Sequence, residues 1–196
     1  MNNSFPLHPL LQQRRSIFAF SSTPVEQEKI ISILEAARWS PSSFNEQPWH
    51  YILATKEMKK EYDILLQIVN ESNAQWVQNA PVIILSVTKL IFDRNGKPNR
   101  YAFHDVGIAF ANMTLQAVSL GLSIHPMGGF DKEKSCELLK IPEGYEPVSV
   151  IALGYQGDEK MLSEEIQQKD QKPRERKKLQ EFVYSKEWGI PSPIIL

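Results

Sequence analysis

Residues 103–120 constrain this chain more than any other stretch. Val106, Ala109, Phe110, Met113, Leu115 and Ala117 recur around most of the circumference of the helix they predict. A helix so apolar has to lie in a deep core or against a second subunit, and Gly121 marks its end. The run Val82-Ile83-Ile84-Leu85 makes a second demand, a strand over 81–87 buried on both faces. Long helices alternating with short apolar strands define an α+β chain. With 196 residues and 42% hydrophobic content there is enough material for one core, so a single domain over 1–196 is expected.

Around these two elements the pattern predicts helices over 8–15, 58–69 and 131–139, the last capped by Asp131. Another helix runs to about Arg38 from Thr23-Pro24-Val25-Glu26, with Thr23 as N-cap, Pro24 in the first turn and Glu26 closing a capping box. Residues 49–54 read as a buried strand, and 123–125 and 148–153 as strands. Asn73 to Gln75 read as a polar connector. Residues 90–101, with Asn95-Gly96 and Lys97-Pro98, read as a loop suited to be the variable wall of a substrate pocket. The tail from Trp188 to Leu196 has two prolines among apolar residues, which bars a helix or a central strand and leaves side chains needing a surface to cover them.

Charge excludes several function classes. With 22 basic and 23 acidic residues the net charge is −1, which gives no electrostatic reason to expect a nucleic acid or an anionic membrane as partner. The single cysteine, Cys136, rules out an intrachain disulfide and reads as a small packed residue on a helix. Histidines at 8, 50, 104 and 125 show no ligand spacing on one helix face, so no metal is expected. No apolar run approaches the roughly 20 residues of a membrane span, and the start of the sequence lacks a signal-peptide layout, so the expected location is cytoplasmic.

Three stretches carry chemistry. Pro41-Ser42-Ser43-Phe44-Asn45-Glu46-Gln47-Pro48-Trp49 sets two hydroxyls and two carboxamides between prolines, which suits a polar neutral ligand; a loop that only satisfies itself through Asx and Ser turns would read alike. Arg14-Arg15-Ser16 offers two guanidinium groups and a hydroxyl, a set that suits a phosphate. Pro126-Met127-Gly128-Gly129-Phe130 reads as a turn whose paired glycines let a backbone approach a flat ligand closely. His104 and Asp105 are neighbours on a helix, where adjacent side chains diverge, and read as structural hydrogen-bonding residues.

These stretches occur in the order of the FMN-dependent nitroreductase family. The Pro41 to Trp49 segment closely resembles that family's Pro-Ser-Ser-x-Asn-x-Gln-Pro-Trp motif. Arg14-Arg15-Ser16-Ile17-x-x-Phe20 is similar to its N-terminal Arg-x-Ser motif, and Met127-Gly128-Gly129-Phe130-Asp131 to its glycine turn. Arg174-x-Arg176-Lys177-Lys178-Leu179 is similar to its basic phosphate clamp. The resemblance implies a mixed, largely antiparallel sheet between helical layers in an intertwined homodimer, with a C-terminal arm from about 157 to 196 packed on the partner. It implies FMN contacts at Arg14, Arg15, Ser16, Pro41, Ser42, Ser43, Asn45, Gln47, Pro126, Met127, Gly128, Gly129, Arg174 and Arg176, with Asn73 and Gln75 as further candidates near the ring. Two positions depart from the pattern: Phe18 stands where many relatives carry a basic residue, and Gly128 where some carry an acid.

The activity so implied is an oxidoreductase that takes hydride from NADH or NADPH and reduces a small-molecule acceptor such as a nitroaromatic or quinone by a ping-pong mechanism. Hydride transfer occurs at flavin N5, so no catalytic side chain is named. No G-x-G-x-x-G occurs in the chain, which leaves donor and acceptor to share one pocket. The same fold also serves dehalogenation, ene reduction or flavin fragmentation, and a non-catalytic FMN-binding protein would carry the same motifs.

Overall fold

The computed structural model describes residues 5–195. Residues up to Ser163 form one compact unit and those from Glu164 onward a second. The first opens with helix α1 (Pro9–Gln13), capped by the His8 ring, and continues into α2 (Gln27–Arg38). Helix α2 starts later than the Thr23-Pro24 signal predicts. The Thr23 hydroxyl pairs with Ser21 at 2.8 Å, and Glu26 closes no capping box because its carboxylate accepts from Tyr155 Oη at 2.6 Å and Lys29 Nζ at 3.0 Å.

Strand β1 (Trp49–Thr55) follows a single turn of 3-10 helix at Ser43–Asn45, then come α3 (Lys59–Gln67), α4 (Glu71–Val77) and β2 (Val82–Lys89). The long α5 (Ala102–Ser119), β3 (Ser123–Met127), α6 (Lys132–Leu139) and β4 (Tyr145–Gly154) complete the unit. The strands form one sheet in the order β1-β2-β4-β3, and every pairing is antiparallel. The largely antiparallel sheet between helices expected from the family is therefore present, with no parallel pair among the described residues.

Position in the sheet decides burial. Central β2 is buried on both faces through Thr88, as its unbroken apolar run predicts. Edge strand β1 is not: only Ala54 is fully buried, which corrects the reading of 49–54 as a buried strand. One sheet face, with Ile84, Ile151 and Leu153, packs against Ile33 and Ala37 of α2 and Ala109, Met113 and Ala117 of α5. Period-two alternation sends Ile83, Leu85 and Ala152 to the other face, where α3 packs on β1 and β2 and α6 on β4. Burial of this kind stabilises at roughly 25 cal/mol per Å² of apolar surface.

Helix α5 is less enclosed than its composition suggests. Phe103, Gly107 and Ala111 are exposed while Ala109, Met113 and Ala117 are wholly buried. Cys136 of α6 is only partly buried, so it is not the packed residue expected. The N-terminal segment is stitched beside β4: Gly157 N donates to Ala19 O, Ser21 N to Tyr155 O, and Phe20 bridges Gln156. A side chain at Gly157 would collide with the Phe20 backbone, so only glycine fits there.

The second unit holds α7 (Glu164–Asp170) and 3-10 turns at Leu179–Glu181 and Pro193–Ile195. Its tail folds back on itself. Ser185 N donates to Ile190 O, Ser192 N to Val183 O, and Gln180 Nε2 to Ile195 O, with Tyr184 bridged to Pro191. The tail thus includes one helical turn that its prolines did not predict; Leu196 lies outside the described residues.

Candidate functional site

Helix α1 stops where Arg14 takes an extended ψ of 121°, and the turn that follows carries Arg14, Arg15 and Ser16. Arg14 Nη1 donates to Ser16 Oγ at 3.1 Å, and both line a cleft of about 290 Å³ with Leu11, Phe110, Thr114 and Pro126. Arg15 is exposed beside it. The cleft is mostly apolar with one guanidinium and one hydroxyl at its edge, an arrangement that accepts a flat or chain-like ligand bearing one anionic group.

The next residues fix β3 in place. His125 Nδ1 donates to Ile17 O at 2.7 Å, and the ring stacks on Trp76 with centroids 4.7 Å apart. Phe18 packs edge-on against both, at 5.1 Å from Trp76 and 4.9 Å from His125. Phe18 is partly buried here and anchors the strand through these two ring contacts.

Strand β3 includes Pro126 and Met127, so the turn is shorter than expected: only Gly128-Gly129-Phe130, closed by Phe130 N donating to Gly128 O at 3.2 Å. Met127 is buried, and any contact it makes with a ligand is through its backbone. Neither glycine has a positive φ. At Gly129 a Cβ would meet the side-chain amides of Asn70 and Asn73, the latter at 2.8 Å, and would force those amides to shift; beside Gly128 there is open space. Among the described residues no acceptor takes the N–H of Gly128 or Gly129, so two backbone donors are left at the rim of an open surface.

Asn73 does not lie in a connector. It is in α4, whose N-cap is the Asn70 side chain, and its Nδ2 donates to Gly129 O at 3.2 Å. Gln75, two residues on, is exposed on another side of the helix, so the turn meets Asn73 and not Gln75. Sequence reasoning passed over Asn70, although an asparagine directly before an acidic first turn is a recognised helix start.

The loop at 41–48 is held under strain. Phe44, Asn45 and Gln47 have φ of 57°, 57° and 50°, each costing on the order of 1–3 kcal/mol for a non-glycine residue. The surroundings hold it there. Buried Asp105 accepts Ser43 N at 2.9 Å, Ser42 Oγ accepts Gln47 N at 2.9 Å, and Asn45 O accepts Gln47 Nε2 at 3.2 Å. Glu46 accepts the amides of Asp93 at 3.0 Å and Arg94 at 3.3 Å. Ser42 and Gln47 are therefore spent on the loop itself, while Pro41 and Asn45 are exposed and the Asn45 carboxamide has no partner among the described residues.

His104 and Asp105, read as diverging, do meet: His104 Nδ1 lies 3.1 Å from Asp105 Oδ1. The structural role holds, because the other carboxylate oxygen is the one that fixes Ser43. Arg174 and Arg176 belong to the second unit, between α7 and the turn at Leu179–Glu181, where Arg176 Nη1 donates to Glu175 O at 2.6 Å. Among the described residues no cluster of three metal-ligating side chains occurs, and no helix is long and apolar enough to cross a membrane.

An antiparallel sheet flanked by helices, with an Arg-Ser cleft and an open glycine turn at the end of one strand, defines an α+β protein. The Nitroreductase family profile matches residues 11–155, and the chain belongs to that family. An Archaeoglobus fulgidus protein, provisionally named NADH dehydrogenase/NAD(P)H nitroreductase, is 32% identical over 160 residues, 77% of this chain and 86% of its own length. A Mycolicibacterium smegmatis protein without an assigned activity is 44% identical over 92 residues, 47% of this chain, and this chain spans 62% of its length. A solved structure described as an oxidoreductase containing FMN superposes with a TM-score of 0.89 at 29% identity, covering 95% of each chain.

Proposed function

We propose that this chain is an FMN-dependent oxidoreductase that takes hydride from NADH or NADPH and reduces nitroaromatic, quinone or related acceptors by a ping-pong mechanism. The observation that carries the reading is the glycine turn, with two backbone N–H groups that have no acceptor among the described residues, open space beside Gly128 and a buttress at Gly129 formed by Asn73. The residues present fit FMN: Arg14 and Ser16 suit its phosphate, and the Gly128 and Gly129 amides suit the acceptor atoms of its ring. When bound, the flavin supplies the hydride chemistry.

The chain's own residues bind and orient. Pro126 joins the Arg14 cleft to the glycine turn, and the strained loop at 41–48 offers Asn45 as a hydrogen-bonding group. Arg15, Pro41, Ser42, Ser43, Gln47, Arg174 and Arg176 complete the proposed set, with Ser42, Ser43 and Gln47 acting through loop shape. The active unit in this reading is a homodimer. Trp39, Phe44 and Phe103 are exposed in the first unit and Trp188 and Ile194 in the second, an excess of large apolar surface that a partner copy would cover. The reading includes a cytoplasmic site of action, where reduced nicotinamides are supplied.

The test is anaerobic reduction of the bound flavin by NADH and by NADPH, followed by reoxidation with a panel of nitroaromatics and quinones. Bleaching by at least one donor and recovery with an acceptor is expected. Protein that binds FMN but is bleached by neither donor would instead be a flavin-binding module. Sedimentation of the holoprotein tests the dimer, and a monomer that keeps stoichiometric flavin would overturn it.

A further inference from the structure

The excursion between β2 and α5 carries Arg94, Lys97 and Arg100, with Lys89 at the end of β2, against one acid, Asp93, in a chain of net charge −1. Lys89 pairs with Asp93, which leaves Arg94, Lys97 and Arg100 without a carboxylate partner among the described residues. The excursion is not a free surface loop. Glu46 clips it to the loop at 41–48 through the amides of Asp93 and Arg94, and the Arg94 guanidinium lies 3.6 Å from the centroid of the Phe44 ring. Phe92 closes the stack, edge-on to Phe44 at 5.9 Å.

A guanidinium lying against an aromatic ring keeps the N–H donors at its edge directed outward, in the fork that matches a phosphate. Its seat is the strained Phe44, within the segment proposed to touch the flavin. We infer that Arg94, together with Lys97 and Arg100 of the same excursion, is the docking strip for the phosphates of the nicotinamide donor. The inference rests on the oxidoreductase reading above. Three unpaired cations within seven residues suit a ligand with several phosphates better than an acceptor with one carboxylate. The strip also supplies what the absent G-x-G-x-x-G would otherwise provide, a place for the dinucleotide's charge.

The test compares holoprotein with Arg94→Gln, Arg94→Lys and the double variant Lys97→Gln with Arg100→Gln. Stopped-flow reduction of the flavin is followed with NADPH, NADH and N-benzyl-1,4-dihydronicotinamide, which has the same hydride-donating ring and no phosphate. Calorimetric titration with NADP⁺ and NAD⁺ gives binding without turnover. Arg94→Gln should raise the Kd of the phosphorylated ligands by about tenfold or more, as expected for one charged hydrogen bond, and leave the benzyl donor unchanged. Arg94→Lys should fall between, and the double variant, whose side chains make no hydrogen bond, ion pair or cation–π contact with Phe44 or Glu46 among the described residues, should weaken the same ligands.

Equal losses for NADPH and NADH place the contact at the pyrophosphate, and a loss for NADPH alone places it at the 2′-phosphate; either supports the inference. Unchanged binding of the phosphorylated ligands, or an equal loss for the benzyl donor, overturns it, since Arg94 would then only prop the loop. Should Arg94→Gln fail to fold, an unaffected double variant overturns it equally. Native flavin reduced by none of the three donors would instead remove the oxidoreductase reading itself.

Discussion

Asp105, almost wholly buried on α5, accepts the backbone N–H of Ser43 at 2.9 Å and so sets the shape of the loop that carries Phe44 and Asn45. Removing one hydrogen bond to a charged acceptor costs about 1.5–3 kcal/mol. Asp105→Ala should lower Tm and weaken FMN retention together, because the released loop relaxes from its positive φ values. Flavin fluorescence titration and a thermal melt measure both. A variant with lower Tm and unaltered flavin affinity would detach the loop from the cofactor site.

The two glycines of the turn should separate packing from ligand approach. Gly129→Ala drives a Cβ into the amides of Asn70 and Asn73, and overpacking of this kind costs about 1–3 kcal/mol. Gly128→Ala meets no atom of the described chain, so it should keep the native Tm while weakening FMN if the ring lies over it. Equal effects at both positions would contradict the geometry.

Arg14 is proposed to act on the phosphate alone. Arg14→Ala should cost FMN about 1.5–3 kcal/mol of binding and leave riboflavin, which lacks the phosphate, nearly untouched. Parallel titrations with the two flavins decide it, and an equal loss for both would mean the substitution damages the cleft.

Glu26 is held down to about 2 from an ordinary 4.5, first by the Tyr155 hydroxyl, then by a backbone hydrogen bond and by Lys29. A carboxylate with a lowered folded pKa stabilises the fold above its unfolded value, and that contribution disappears as pH falls toward the folded one. The Tm difference between native protein and Glu26→Gln should therefore be full above pH 4.5 and shrink between about pH 4.5 and about pH 2. The group is exposed, so the effect is small and screened by salt. A difference that is flat across this window would rule the linkage out.

Elements whose pattern reflects burial were legible in the sequence, and those set by a partner were not. The Val82 to Leu85 run announced the central strand, and Asp131 announced α6, because each signal is contained in its own few residues. The start of α2 was misread because Glu26 is taken by Tyr155, far away in the chain. Asn73 and Gln75 read as a connector because polar residues dominate; burial of Trp76 and Val77 and the Asn70 cap make that stretch a helix. At the site, Arg14, Ser16 and the glycine turn were visible as residue types. The clip between Glu46 and Arg94 was not, since no local pattern announces that one loop caps another's amides.

Phe20 bridging Gln156 and Gly157 donating to Ala19 also bear on how the molecule comes into being. The segment that carries Arg14 and Ser16 is held by Trp76 and His125 and, at its far end, by residues synthesised after every strand of the sheet. Such distant pairing forms late, because the loop it closes is paid for in chain entropy before the contact is gained. A chain still emerging from the ribosome can therefore pair β1 with β2 but cannot complete the corner proposed to hold the phosphate, and cofactor loading in that reading belongs to the finished first unit.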